Sequence, residues 1–250
     1  MEIGLLFKLI MGSERIVVFT GTGVSLESGI NLRTIWSEHD LYDLSGQNFL
    51  VNPESREKQW KLLSEKEHII EAVPNRTHYT LAEMEKLGKL DCVITENIDN
   101  LLQKAGVPES KIIELYGNLN WAKCLSCGKR ASMKEVLQKV KKGIEVPGCP
   151  DCSGLLKPDA VFFPDELSEE TVRTAIGRSQ NSDLFISLGS SLATYPPAYL
   201  IECAKTGGAT RAIVSVIPTL FDEDAVVVIR KNTKKTMTGV MEKLRERMPS

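Results

Sequence analysis

The sequence predicts an α/β fold, a doubly wound parallel sheet with a small zinc-ribbon and helical unit inserted into it. Three observations predict this. Short β-rich runs alternate with helical patterns along most of the chain, two stretches break the alternation, and the second break holds four cysteines as two CxxC pairs.

The alternation comes first. The runs RIVVFT (15–20), KLDCVIT (89–95), KIIEL (111–115), DLFISLG (183–189), RAIVSV (211–216) and AVVVIR (225–230) are rich in β-branched residues. Between them, helical patterns are predicted at about 54–72, 77–87, 99–106, 168–178, 196–205 and 234–247. The opening stretch MEIGLLFKLIMG reads as a helix rather than a signal peptide, because Lys8 interrupts its short apolar part and no small-residue cleavage site follows.

The interruptions set the expected organisation. Residues 1–34, 76–118 and 158–250 form the Rossmann-like part; 35–75 is a helical insertion and 119–157 a zinc-ribbon module, and the two insertions together make the smaller domain. The 119–157 stretch carries eight Lys and Arg against three acidic residues, in a chain whose formal net charge is −2. Without interleaved aromatic residues for base stacking, that excess reads as a solvated face, and nucleic acid is not expected as a partner. With 42% hydrophobic and 26% charged residues and no run of about 18 apolar residues, no membrane association is expected. Cysteines arranged in CxxC pairs, with Cys92 and Cys203 in apolar surroundings, suit a reducing, cytoplasmic compartment. Oligomeric state is not legible.

The cysteines are the sharpest single signal. Cys124-x-x-Cys127, 21 residues, and Cys149-x-x-Cys152 have zinc-ribbon spacing, with Gly128, Pro147, Gly148 and Pro150 as turn residues. A closed four-sulfur shell leaves no position for water, so a Zn²⁺ ion there is structural. A redox dithiol needs only one such pair.

The run RIVVFT is followed by GTGVSLESGI, with Gly21, Thr22, Gly23, Ser25, Ser28 and Gly29. A strand passing through Gly-x-Gly into a helix presents backbone N–H groups and a helix N-terminus to a diphosphate. The full GxGxxG spacing is missing, so taken alone the segment reads equally as a tight turn.

Further motifs follow in a fixed order: PNRTH (74–78), TENIDNLLQKAG (95–106), IIELYGNLNWAKC (112–124), LKPDAVFFPDELS (156–168), SLGSSLATYPPA (187–198) and VSVIPTLFDEDAVVVIR (214–230). Together with the glycine loop and the CxxC pairs they resemble the sirtuin family of NAD-dependent protein deacylases over about residues 13–244. The resemblance implies NAD as cofactor, structural zinc, and an acyl-lysine protein or peptide as substrate. It implies that Gly21, Thr22, Gly23, Ser25, Ser28 and Gly29 surround the NAD diphosphate and adjoining ribose, with Gly189, Ser190, Ser191 and Ser215 on the adenosine side. Glu96, Asn97, Ile98 and Asp99 correspond to the nicotinamide end, Asp99 accepting from the carboxamide. Val161, Phe162 and Phe163 resemble the wall of the acyl-lysine tunnel. Singly, Asp99 also reads as a helix N-cap, Asn97 as a turn residue and the Phe pair as core.

The chain departs from the family pattern at four places. Tyr116 stands in Glu114-Leu115-Tyr116-Gly117 where the family reads ELHG with a histidine base. With a reference pKa near 10, tyrosine is a poor base at pH 7, so nicotinamide release is expected to outlast deacylation. The family's PDFRG is replaced by NLRTI around Arg33, Glu96 replaces a Gln, and Pro164 replaces the Gly of FGE. Glu96 adds negative charge where an oxocarbenium ion develops, and Pro164 removes a backbone donor from the peptide path. None of His39, His68 and His78 lies in the matching motif; His78 reads as structural. Beside deacylation, NAD-dependent ADP-ribosyl transfer or NAD hydrolysis and a non-catalytic NAD-sensing module remain open as alternatives.

Overall fold

The computed structural model describes residues 2–31, 35–37, 40, 44–162 and 167–247, so Arg33, His39, Phe163 and Pro164 lie outside the described residues. Its main sheet has six parallel strands: β1 (Ile16–Thr20), β2 (Cys92–Thr95), β3 (Ile112–Glu114), β7 (Leu184–Leu188), β8 (Thr210–Val214) and β9 (Val227–Ile229). Their order is β3-β2-β1-β7-β8-β9, so the chain winds outward from β1 on one side and from β7 on the other. In such sheets ligands bind beyond the carboxyl ends of the strands where the order reverses, here between β1 and β7.

Both faces of this sheet are covered, which is why its strands read as unbroken apolar runs. Ile16, Val18, Val93, Ile186 and Val214 pack on one side in a core shared with the helices Glu2–Gly12, Arg76–Lys86 and Thr233–Arg247. The alternate residues Val17, Phe19, Ile94, Phe185 and Ile213 face the helices Glu169–Gln180 and Pro197–Thr206. Phe19 and Phe185 stack at 6.4 Å between ring centroids.

A second, three-stranded antiparallel sheet has the order β5-β4-β6, from β4 (Gly117–Cys124), β5 (Arg130–Ser132) and β6 (Leu156–Ala160). Its core joins the cysteine stretch to the preceding helical one: Phe49, Trp60, Leu63 and Ile69 pack with Leu119, Val136, Leu137, Cys149 and Leu156. Phe49 meets Trp60 edge-on at 6.4 Å.

Four expectations are corrected. The helix expected over 54–72 is two, Pro53–Glu65 and His68–Glu71. That expected over 99–106 is the single turn Leu101–Lys104. The stretch 119–157, for which no helix or strand was predicted, contains most of β4, all of β5 and an amphipathic helix Met133–Lys141 that buries Met133, Val136 and Leu137. Finally, the glycine loop leads into two single 3₁₀ turns, Thr22–Val24 and Leu26–Ser28, closed by Gly29 at φ 80°. A diphosphate there meets turn N–H groups, not an α-helix terminus with its summed dipole.

Candidate functional site

Elements from β1, β2, β3 and β7 converge at the sheet's carboxyl edge. Gly21 N donates to Leu188 O at 2.9 Å and Gly23 N to Gly189 O at 2.8 Å, so the loops after β1 and β7 lie backbone to backbone. A Cβ on Gly21 would stand 2.7 Å from Gly189 O, Ser190 Cα and Glu96 Oε1, and one on Gly23 would stand 2.7 Å from Gly189 O. Glycine is required at both places by this close approach.

The floor is a buried polar chain. Asn97 Nδ2 donates to Gly21 O at 3.0 Å and Ser25 Oγ at 3.1 Å, and Ser25 Oγ donates to Asp99 Oδ2 at 2.5 Å. Asp99 Oδ1 also accepts from Leu101 N at 3.0 Å, so the residue holds the short helix as well. Burial pushes the Asp99 carboxyl up, against the hydrogen bonds from Ser25 and Leu101. Asn97 Oδ1 is buried without a hydrogen-bond partner, as is Thr20 Oγ1 beside it at the end of β1. Such an orphaned acceptor costs roughly 1–3 kcal/mol unless a ligand donor satisfies it. Ile98 is buried, its carbonyl accepting from Leu119 N at 2.9 Å.

Of two braces on the loop, Asn75 was not singled out in the sequence, whereas His78 reads there as structural and is so here. Asn75 Nδ2 donates to Val24 O at 2.7 Å and Ser28 Oγ at 3.0 Å, clamping the 3₁₀ turns. His78 Nδ1 accepts from Asn75 N at 3.2 Å in a capping box that fixes Asn75, and burial lowers its pKa to about 4. An Asn just ahead of a helical pattern, in PNRTH, is the signal that points to them.

Tyr116 lies where the chain leaves the large sheet for the small one. Gly117 follows at φ 71°, and a Cβ there would sit 2.3 Å from Asp159 O. Tyr116 O accepts from Val161 N at 2.8 Å, so Tyr116 and Val161 share this junction. Burial, then the negative charge of Glu96, raises the Tyr116 phenol above its ordinary value. Phe162 is buried and meets Trp36 edge-on at 5.5 Å.

On the β7–β8 side, Gly189 has φ 65° and Ser190 Oγ accepts from Leu192 N at 3.2 Å. Ser215 Oγ donates to Ile217 O at 2.9 Å. Thr22 is half-buried near the crossing of the two glycine loops, Ser191 is half-buried, and Gly29 is exposed at the end of its turn. Gly29 is thus the member of the predicted set farthest toward solvent.

The four cysteines come together with all their Sγ atoms within 4.8 Å of one another. Cys124 to Cys152 is 3.5 Å and Cys127 to Cys149 is 3.8 Å, near the edge of roughly 3.8 Å of a tetrahedron with Zn–S bonds of about 2.3 Å. The backbone N–H groups of Cys127 and Ser126 point at Cys124 Sγ and lower its pKa to about 6, favouring the thiolate a metal needs. Gly154 is indispensable here, since a Cβ would stand 2.5 Å from Ser126 Oγ and 3.0 Å from Cys124 Sγ.

Comparison with known proteins agrees over nearly the whole chain. The family model described as Sir2 family matches residues 21–196. NAD-dependent protein deacetylase 1 of Pyrobaculum aerophilum is 36% identical over 245 residues, covering 95% of this chain and 93% of the relative. A solved structure of Sir2 with p53 peptide and NAD⁺ superposes with a TM-score of 0.84 at 33% identity, covering 97% of this chain and 98% of the other. A Sir2 histidine-to-tyrosine mutant with p53 peptide and NAD gives 0.82 at 34%, covering 97% and 98%. Matched by the family model over residues 21–196 and by solved Sir2 structures over nearly its whole length, the chain belongs to the Sir2 family.

Proposed function

We propose that this chain is an NAD-dependent protein deacylase that releases nicotinamide, with a structural zinc, and that its cleft lies between a Rossmann-like domain and the smaller domain of the two insertions. The observation that carries the reading is the Asn97–Ser25–Asp99 chain with Asn97 Oδ1 left as a buried, unpaired acceptor at the switch point of the sheet. That donor and acceptor set fits a carboxamide, which brings its own N–H₂ and C=O into a water-poor pocket.

When bound, NAD supplies the glycosidic bond whose cleavage frees nicotinamide and leaves the ribose as acyl acceptor. The chain's residues do the rest. Gly21 and Gly23 let the backbone approach the diphosphate, with Thr22, Ser25, Ser28 and Gly29 in the same loop and Gly189, Ser190, Ser191 and Ser215 on the adenosine side. Asn97, Ile98 and Asp99 orient the nicotinamide end. Val161 and Phe162 line the acyl-lysine path, and its acyl-lysine peptide enters beside Tyr116. Cys124, Cys127, Cys149 and Cys152 hold zinc away from the reaction.

The test is purified protein with NAD, with and without an acetyl-lysine peptide, following nicotinamide and deacylated peptide. Equal amounts of both support deacylation. A second reading, NAD hydrolysis or ADP-ribosyl transfer, is favoured by one observation: the raised phenol of Tyr116 at the position of the family's histidine. It predicts nicotinamide without deacylated peptide.

A further inference from the structure

Tyr116 leaves the proposed deacylation without its usual base, and a second departure from the family pattern stands beside it. β2 and β3 are parallel neighbours paired through Thr95 and Glu114. Leu115 N donates to Thr95 O at 3.0 Å, so Glu96 and Tyr116 both lie just beyond the last rungs of β2 and β3, and the charge of Glu96 is felt at the Tyr116 phenol. Glu96 N donates to Thr20 O at 3.1 Å, which holds the residue against the start of the glycine loop. Its side chain is directed onto that loop: Oε1 is 2.7 Å from where a Cβ on Gly21 would be.

We propose that Glu96, not Tyr116, is the catalytic proton acceptor of this chain, and that Tyr116 serves as its neutral hydrogen-bonding neighbour. The inference rests on the NAD-dependent deacylase reading. In the step, a ribose hydroxyl proton passes to a carboxylate oxygen of Glu96. The O–H bonding pair stays on the ribose oxygen, Glu96 becomes a neutral acid, and it later returns the proton to water. Carboxylates act as general bases when placed within reach of the proton.

The neighbouring groups exclude themselves. Burial and the Glu96 charge both keep Tyr116 protonated through neutral pH, so it donates but does not accept a proton. The Asp99 oxygens are engaged by Ser25 and Leu101 in a buried site that disfavours its charge. Glu114 is engaged by Gln103 and Asn118 at 2.7 Å each, and burial raises it too.

The experiment uses the full zinc-loaded chain and Glu96→Gln. The variant is expected to lose deacylated peptide by roughly 10²–10⁴-fold, a larger loss than any in nicotinamide release. Wild-type kcat/KM for deacylation should show no limb near the value of about 6.5 that marks a histidine, and Glu96→Asp should restore part of the rate. A readout without NAD accompanies this. The Tyr116 phenolate, followed by ultraviolet absorbance against Tyr116→Phe, should form at lower pH in Glu96→Gln. If Glu96→Gln deacylates like wild type, or the Tyr116 titration does not move, the assignment is overturned while the deacylase reading stands. A wild type that releases no nicotinamide overturns that reading and the assignment with it.

Discussion

The two sheets of this molecule are held by different physics. In the six-stranded sheet β1 and β7 are buried along their whole length, and helices close both faces. In the three-stranded sheet only alternate residues of β6 are buried, β5 has no buried residue, and the core leans on Cys124 and Cys149. The first sheet stands on apolar burial, which needs no ligand. The second has too little core of its own, so four thiolates around a metal supply what packing does not. The chain passes from one sheet to the other at Tyr116–Gly117, beside the proposed cleft.

That contrast predicts its own largest break. Chelation of zinc, or Cys149→Ser, should unfold the three-stranded sheet while the parallel sheet keeps its amide protection. Structural zinc contributes on the order of 10 kcal/mol to small ribbons, far more than any single packing contact. The measurements are metal content, near one zinc per chain in the wild type, and hydrogen exchange resolved by segment. Full protection of β4 and β6 in a metal-free chain would refute the comparison.

The same contrast explains what the sequence made legible. Central strands such as β1 and β7, buried on both faces, are runs of Val, Ile, Leu and Phe in which burial itself writes the pattern, and the half-buried edge strand β3 was readable from its Ile pair. β4, GNLNWAKC, and β6, LKPDA, carry Asn, Lys and Pro, and owe their conformation to each other and to the cysteines. Propensity does not mark them. In the site, the glycines, Asn97, Asp99 and the cysteines were legible from motif order. The clamp from Asn75 to Val24 and Ser28 was not, since it joins residues about fifty positions apart. The glycine loop was misread as entering an α-helix because the local pattern does not distinguish a 3₁₀ turn from the first turn of a longer helix.

The next prediction strikes the large-sheet side, where the loops after β1 and β7 cross. Gly21→Val places side-chain atoms against Gly189 O and Ser190 Cα, which are backbone and cannot swing aside. It should lower stability by about 1–3 kcal/mol and weaken NAD at least about tenfold by calorimetry. Unchanged affinity would mean that the diphosphate lies elsewhere.

Acid should separate the sheets again. His78 braces the large-sheet side, and burial holds its folded pKa at about 4, below the ordinary value of 6.5. Above pH 6.5 it is neutral in both states and its contribution is complete. As pH falls from 6.5 toward 4 the unfolded chain takes up the proton first, so stability is lost across that window, by roughly 3 kcal/mol, and levels off below it. His78→Gln, which keeps a capping acceptor without a charge, should flatten that part of the denaturation profile. An identical acid slope in the variant would assign the loss to other groups.

The smallest expected effect falls on the junction, and it separates two accounts of the missing histidine. If the absence of a base at Tyr116 limits deacylation, Tyr116→His should raise the rate by the roughly 10²–10⁴-fold of a positioned general base. If Glu96 already accepts the proton, the new imidazole adds a second base to a site that has one, and the gain should stay below about tenfold, or about 1.4 kcal/mol. The double variant with Glu96→Gln decides between them. With Glu96 as the base of the wild type, Tyr116→His becomes indispensable only when Glu96 is gone, so the two changes are strongly non-additive. Additive effects on kcat/KM would mean that Glu96 and position 116 act independently, and their placement just beyond the ends of β2 and β3 would then carry no shared role.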